Sequence, residues 1–362
     1  MRIGKVTENV LKRSVWKETG RKAMGGAAGY SDCALFDLQA NKDKGPKGAG
    51  SHNGEGEILS STSPCTLALQ HPARYALVSA TNNIYASGGE ADMAELTVLL
   101  PADAEEKQLK DMIKEAVNIA GELGLAIKGG HTEVTPIVNA PMVTATVTGH
   151  RAAPYTCGHP ASVHETKGTE RSAVKAGARG DLEIYISKWI GLGGTAILAE
   201  EMEKEIAAAY PPFIEETGKS FGSVKYLSVR DEARIAMEEG AVLMHDISSG
   251  GVFAALWEFG EMLGLGLDID LKAIPIRQET VEITDLLGVN PYQIYGQGAL
   301  LIAIPAGSGI ETAMESAGIP LSLVGHTRPD KDRIIRNGEE TRFLDLPQAD
   351  SLLSLAHTAS RW

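Results

Sequence analysis

Apolar residues recur at helical spacing most clearly where Leu109, Met112, Ile113, Ala116, Val117 and Ala120 share one face. Asp103 is placed to cap that helix, Glu106 follows three residues on, and Gly124 is placed to end it. Upstream, Leu96 to Leu100 reads as a strand, while the short runs Ile58-Leu59 and Tyr75 to Ser79 fit either a strand or a buried helix. Downstream, Leu125 to Ile127 predicts a strand running straight into Gly129-Gly130-His131-Thr132-Glu133, and Met142 to Thr148 alternates like a half-buried strand. The pattern lapses twice. Asn41 to Glu57 has no periodic apolar face and reads as a mobile surface loop or a basic anion-binding loop. Arg151 to Gly180, rich in Pro, Gly, Thr, Ser and charge, is the expected domain boundary.

The second half restarts with a strand at Glu183 to Ser187, a glycine turn at Gly191 to Gly194 and a helix running on from Thr195 with Ile197, Leu198 and Met202 on one side. A second unit of the same kind follows. Val242 to Met244 leads through His245-Asp246-Ile247-Ser248-Ser249-Gly250-Gly251 into a helix carrying Val252, Phe253, Leu256 and Trp257. Strands are predicted at Leu267 to Leu271 and Ala299 to Ile304, a helix near Gly309 to Ala317, and a hairpin turning at Asn337-Gly338. The expectation is a mixed α/β chain with an N-terminal domain over 1–155, a linker over 156–180, a C-terminal domain over 181–345 and a tail over 346–362.

Composition narrows the function classes. A formal net charge of −13 over 362 residues argues against nucleic acid as a partner. No apolar run approaches the roughly 18 residues of a membrane span, and Met1-Arg2-Ile3-Gly4 opens without a secretory core, so a cytoplasmic protein without a membrane partner is expected. Cys33, Cys65 and Cys157 form neither a disulfide framework nor a metal knuckle and read as free thiols. His71, His159 and His164 lack zinc spacing and read as solvated surface, while Trp189 and Trp257 read as core. Forty glycines, many at strand–helix junctions, fit a fold rich in tight turns.

Glycine at such a junction lets backbone N–H groups approach an anion at a helix N-terminus, although glycine is also placed there for packing. Gly193, Gly194 and Thr195, and Gly250 with Gly251, are the candidates. His245 and Asp246 could orient phosphate or act as a base, or Asp246 could simply cap the following turn.

Taken in order, Ser31-Asp32-Cys33-Ala34-Leu35, Thr62-Ser63-Pro64, Asn82-Asn83-Ile84, Gly129-Gly130-His131-Thr132-Glu133-Val134 and His245 to Gly251 resemble the landmarks of the AIR-synthase-like superfamily. That superfamily holds AIR synthase, thiamine-monophosphate kinase, selenophosphate synthetase and the hydrogenase maturation factor HypE. Lys188-Trp189-Ile190-Gly191, Ile274 to Glu279 and Asn290 to Gln293 look like the HypE branch. The resemblance implies an N-terminal sheet that pairs into a barrel across a homodimer, ATP with Mg²⁺ bound between the domains, and a small-molecule or maturation-protein partner. It further implies metal ligation by Asp32, Glu133 and His131, and nucleotide contacts from Ser63, Asn83, Gly129, Gly130 and Thr132 beside the C-terminal glycines.

Two departures change that picture. Ser63 and Asn83 stand where the family pattern has aspartates, so two charges suited to a hard dication are missing, and weakened or altered nucleotide chemistry is expected. The chain ends Ser360-Arg361-Trp362, without the terminal cysteine that carries the carbamoyl group in HypE, so that thiol mechanism is not expected. Three readings remain open. They are a HypE-like protein with reduced nucleotide chemistry, a working ATP-dependent enzyme acting on an acyl or carbamoyl oxygen, and a non-enzymatic dimeric binding module.

Overall fold

The computed structural model describes residues 6, 8–16, 33–37, 57–151, 182–353 and 355. Asp32, Cys157, His159, His164 and most of the loop expected over 41–57 lie outside the described residues, as does the expected linker. The chain divides into two compact units, one of residues 32–66 and 71–155, the other of residues 1–31, 67–70 and 156–362.

The first unit is a five-stranded sheet in the order β1-β2-β5-β3-β4, formed by β1 (Ala34–Asp37), β2 (Glu57–Cys65), β3 (Glu90–Leu100), β4 (Ala126–Val134) and β5 (Met142–Arg151). Only β3 and β4 run parallel; the other pairs are antiparallel. Alternation sets its two faces. Ser61 and Ser63 of β2, Ala94, Leu96 and Val98 of β3, and Val143, Ala145 and Val147 of β5 are buried. Thr62, Glu95 and Thr97 are exposed, so one face is apolar and the other polar.

Helix α1 (Pro72–Ala86) packs on β2 and β5, which settles the open reading of Tyr75 to Ser79 as a buried helix. Pro72 opens it, where a missing N–H costs nothing.

Helix α2 (Glu106–Glu122) matches the predicted helix with two corrections. Asp103 does not cap it, because Ala104 N–H turns back to Pro101 O and the chain enters the helix through extended Glu105. Val117 is 54% exposed, and the buried side is Met112, Ala116, Ile119 and Ala120. Its end is as expected. Gly124 takes φ 76, its N–H bonds Gly121 O, and Leu125 N–H bonds Ala120 O, a Schellman closure that satisfies the last carbonyls.

The second unit holds seven strands in the order β12-β11-β8-β10-β6-β9-β7. These are β6 (Leu182–Ser187), β7 (Leu243–Asp246), β8 (Gly266–Asp270), β9 (Leu300–Pro305), β10 (Leu321–Arg328), β11 (Arg333–Asn337) and β12 (Glu340–Phe343). Its centre is the driest part of the described chain, with Ile184, Ile186 and Leu300 through Ile304 fully buried. Two helices follow the predicted glycine turns, α3 (Leu192–Glu201) after β6 and α4 (Gly251–Leu263) after β7.

Candidate functional site

In the first unit Ser63 and Asn83 come together. Alternation on β2 turns Ser61 and Ser63 toward α1, and Asn83 meets them, its Nδ2 donating to Ser61 Oγ at 2.8 Å and lying 3.4 Å from Ser63 Oγ. A neutral amide is thereby held against two hydroxyls, with no carboxylate in the cluster.

The segment Gly129 to Glu133 lies elsewhere. It is part of β4, an edge strand exposed at every position from Lys128 to Val134. Its register sets His131 opposite Thr97 and Glu133 opposite Leu99, while Gly130 and Thr132 fall opposite the buried Leu96 and Val98. His131 and Glu133 therefore share the polar face, away from α1, and Ser63 with Asn83 occupy the helix face. His131 Nε2 is 3.2 Å from Glu133 Oε2, an exposed pair. Gly130 has a reason internal to the sheet. At φ 145 an added Cβ would lie 1.9 Å from Leu96 O, so no other residue fits that register.

Two of the expected Mg²⁺ ligands, His131 and Glu133, lie apart from Ser63 and Asn83, and the third, Asp32, is outside the described residues. Among the described residues no group of three or more His, Cys, Asp or Glu side chains could hold a metal ion. His131 and Glu133 face away from Ser63 and Asn83, so the described residues do not fit a hard dication.

In the second unit both glycine turns pack against one segment of chain. The N–H groups of Gly193 and Gly194, expected to face phosphate, donate instead to Gln297 O at 3.0 Å and Tyr295 O at 2.7 Å. The Thr195 hydroxyl is fully buried, 2.7 Å from Gly191 O and 2.8 Å from the Thr280 hydroxyl. Gly251 N–H donates to Ser248 O, and Gly296 N–H does the same from the facing segment. Gly250 N–H donates at 2.8 Å to Asp350 Oδ2. Close approach explains the glycines: a Cβ on Gly194 would meet Tyr295 O at 2.9 Å, and one on Gly251 would meet Tyr292 O at 2.5 Å and Ile294 O at 2.7 Å. Packing is what these glycines do in this structure, the alternative that the sequence left open.

His245 and Asp246 end β7 as predicted, but inside the unit, at 4% and 2% exposure. His245 Nε2 lies 3.1 Å from Glu258 Oε2, and both side chains are buried, so this pair ties β7 to α4. A proton exchanged with substrate needs access that His245 does not have here.

Sequence reasoning missed Glu258, Ser61, Asp350 and residues 294–297 of the receiving segment, and it named Tyr292 and Gln293 only as part of the HypE resemblance. Glu258 alone left a signal, an acidic residue inside the apolar run from Val252 to Phe259.

Lys188, named in the sequence only as part of the HypE resemblance, has a role that no pattern showed. It adopts φ 53, and its Nζ contacts Glu232 and Ser228 O, each at 2.6 Å, with both charged side chains over nine-tenths buried. Burial lowers the Lys188 pKa from its ordinary value, and the Glu232 carboxylate offsets part of that effect. The surroundings of Lys188 are backbone and carboxylate, those of a structural ion pair.

Known proteins place this geometry. The family model for the C-terminal domain of AIR synthase related protein matches residues 178–336, and the model for the N-terminal domain matches 56–150. Selenide, water dikinase of Treponema denticola is 26% identical over 221 residues, 61% of this chain and 54% of that protein, so the chain spans about half of that relative's length. A putative hydrogenase expression/formation protein of Methanocaldococcus jannaschii is 24% identical over 290 residues, 77% of each chain. Among solved structures, the HypE–HypF complex matches with TM-score 0.67 and 16% identity over 93% of this chain and 99% of that chain. HypE in complex with ATP matches with TM-score 0.64 and 17% identity over 96% of this chain and 97% of that chain.

Proposed function

The chain belongs to the AIR synthase related protein family, as a HypE-like member, and from that premise we propose that it is a nucleotide-binding relative whose metal-dependent ATP chemistry is weakened. The observation that carries the reading is the Asn83, Ser61 and Ser63 cluster. Its hydrogen bonds are made among neutral groups, so it offers a dication no charge to offset the loss of hydration. Two carboxylates in its place would attract a dication by several kcal/mol at an effective dielectric near 20, roughly 4 kcal/mol for each unit-charge pair about 4 Å apart.

The second reading is a working ATP-dependent enzyme that phosphorylates or dehydrates an acyl or carbamoyl oxygen. It is favoured by the likeness to a HypE structure that holds ATP. The assembly we propose is a homodimer in which the exposed edge β4, with Val134 60% exposed, is covered by a second copy. A maturation protein is the proposed further partner, because a HypE–HypF complex shares the fold.

Calorimetric titration with ATP, with ADP and with a non-hydrolysable ATP analogue, each with and without Mg²⁺, decides between the readings. Weakened chemistry predicts binding that is no tighter with Mg²⁺ and no phosphate release. Micromolar Mg²⁺-dependent binding with turnover would overturn it and establish the second reading.

A further inference from the structure

Beside the start of α4 lies a cavity of about 210 Å³ that none of the residues discussed for nucleotide binding lines except Gly250. Its inner wall is Gly250, Phe253, Ala254, Asn290 and Gln293, and part of its outer wall is the chain from Leu344 to Gln348. Phe253 is stacked on Tyr292, ring centroids 5.1 Å apart and planes 6° apart.

The outer wall is held at its two ends and little between. At one end Leu344 is buried, and its N–H bonds Arg333 O at 2.8 Å. At the other, the Asp350 carboxylate, 5% exposed, accepts from Gly250 N–H at 2.8 Å and Leu352 N–H at 3.0 Å. There Ser351 N–H also bonds Gln293 O at 2.9 Å, and the Leu352 side chain is buried. Between these anchors the one hydrogen bond of residues 345–349 among the described residues is internal, Gln348 Nε2 to Leu346 O, and Leu346 is 66% exposed. A run bridging two anchors in this way opens at a free energy set by its weaker anchor rather than by the unit's core. Leu344 continues the pairing of β12 with β11, so the end that a single group can release is the Asp350 end, held by that carboxylate and one backbone amide.

We propose that residues 345–349 form a hinged strap over this cavity and that Asp350 is its latch, so that release of the carboxylate from Gly250 opens the cavity to small solutes. The device stands apart from the nucleotide reading and does not depend on it. Asp350 suits the task because a carboxylate at a helix N-terminus is favoured by the partial positive charge there, so the latch is strong enough to close and local enough to release.

Native-state hydrogen exchange on the full chain in sub-denaturing urea tests the strap without a variant. The Gly250, Ser351 and Leu352 amides are expected to exchange through a local opening with little urea dependence, at least about a hundredfold faster than Leu301 and Ile302 of β9. Asp350→Asn should raise those three rates about tenfold and leave β9 unchanged. Ala254→Cys, read by peptide mass so that native cysteines do not interfere, should be alkylated by iodoacetamide about tenfold faster when Asp350→Asn is added. The proposal is overturned if the three amides exchange only with the urea slope of β9, if Asp350→Asn accelerates β9 by the same factor, or if alkylation at position 254 is indifferent to Asp350.

Discussion

Restoring the two family aspartates is the sharpest perturbation of the candidate site. In the double variant Ser63→Asp with Asn83→Asp, two carboxylates replace groups now 3.4 Å apart on β2 and α1, and the amide that donates to Ser61 is lost. At that separation two like charges repel by about 5 kcal/mol at an effective dielectric of 20 and by about 1 kcal/mol in water. Ser63 is buried and Asn83 half-buried, so the cost lies between these limits. It corresponds to a melting temperature lowered by roughly 3–15 °C in EDTA at pH 7. Protonation below pH 4 should remove most of the loss. Millimolar Mg²⁺ should also recover it if other oxygen ligands, Asp32 first among them, complete the site. The assay is thermal denaturation in EDTA, in Mg²⁺ and in Mg²⁺ with ATP, with Asp32→Ala as the background in which metal rescue disappears. An unchanged melting temperature in EDTA would refute the reasoning, because side chains held as Asn83 and Ser63 are held cannot both be charged without cost.

Gly251→Ala should destabilise the second unit by about 3 kcal/mol or more, since φ 67 and backbone oxygens within 2.7 Å of the added Cβ leave it nowhere to go. Gly121→Ala on α2, whose Cβ meets nothing within 4 Å, should stabilise by up to about 1 kcal/mol, and urea midpoints that rank the two the other way would contradict the packing account. Burial raises the pKa of Glu115, but His71 at 3.0 Å and Arg74 at 2.9 Å together outweigh it and hold the carboxyl below its ordinary 4.5. A depressed folded value means stability that is present above the unfolded pKa and lost as pH falls below it. Glu115→Gln should therefore flatten the decline of the urea midpoint below about pH 4.5, and parallel profiles for variant and parent would count against the pair.

Much of the fold was legible because each unit's main elements carry a strong period. The alternation of Met142 to Thr148 and the Asn337-Gly338 hairpin returned as drawn, and of the six-residue helix face Met112, Ala116 and Ala120 are buried while Val117 is exposed. Failures came where tertiary contact decides. Strand β10 was unseen because Leu321 to Arg328 mixes Gly, His and Thr and is specified by its neighbours β6 and β8. His71 read as solvated surface, yet it meets Glu115 across to α2, 44 residues on, which no local pattern reveals. Trp189 and Trp257 are half-buried rather than core, each under an arginine, Trp189 with Arg277 at 5.0 Å and Trp257 with Arg333 at 4.1 Å. The glycine motifs were found, with anion binding and packing both left open for them, and the sequence could not show the carbonyls that Gly193 and Gly194 meet. A backbone donor looks the same in sequence whether it faces a phosphate or a carbonyl about a hundred residues away.

That last distance has a consequence for how the chain is made. Gly193 and Gly194 leave the ribosome about a hundred residues before Tyr295 and Gln297, the carbonyls they bond, and Gly251 about forty residues before the backbone it packs on. At roughly 5–20 residues per second, α3 waits about 5–20 seconds with its opening turn unseated. During synthesis the second unit therefore carries an α3 start whose glycine donors have no carbonyl yet, and an α4 start in which Gly251 already has Ser248 O while Gly250 waits for the Asp350 carboxylate. The arrival of residues 292–297 supplies the carbonyls that seat α3 and the backbone against which Gly251 packs, while the seven-stranded sheet still waits for β9, β10, β11 and β12.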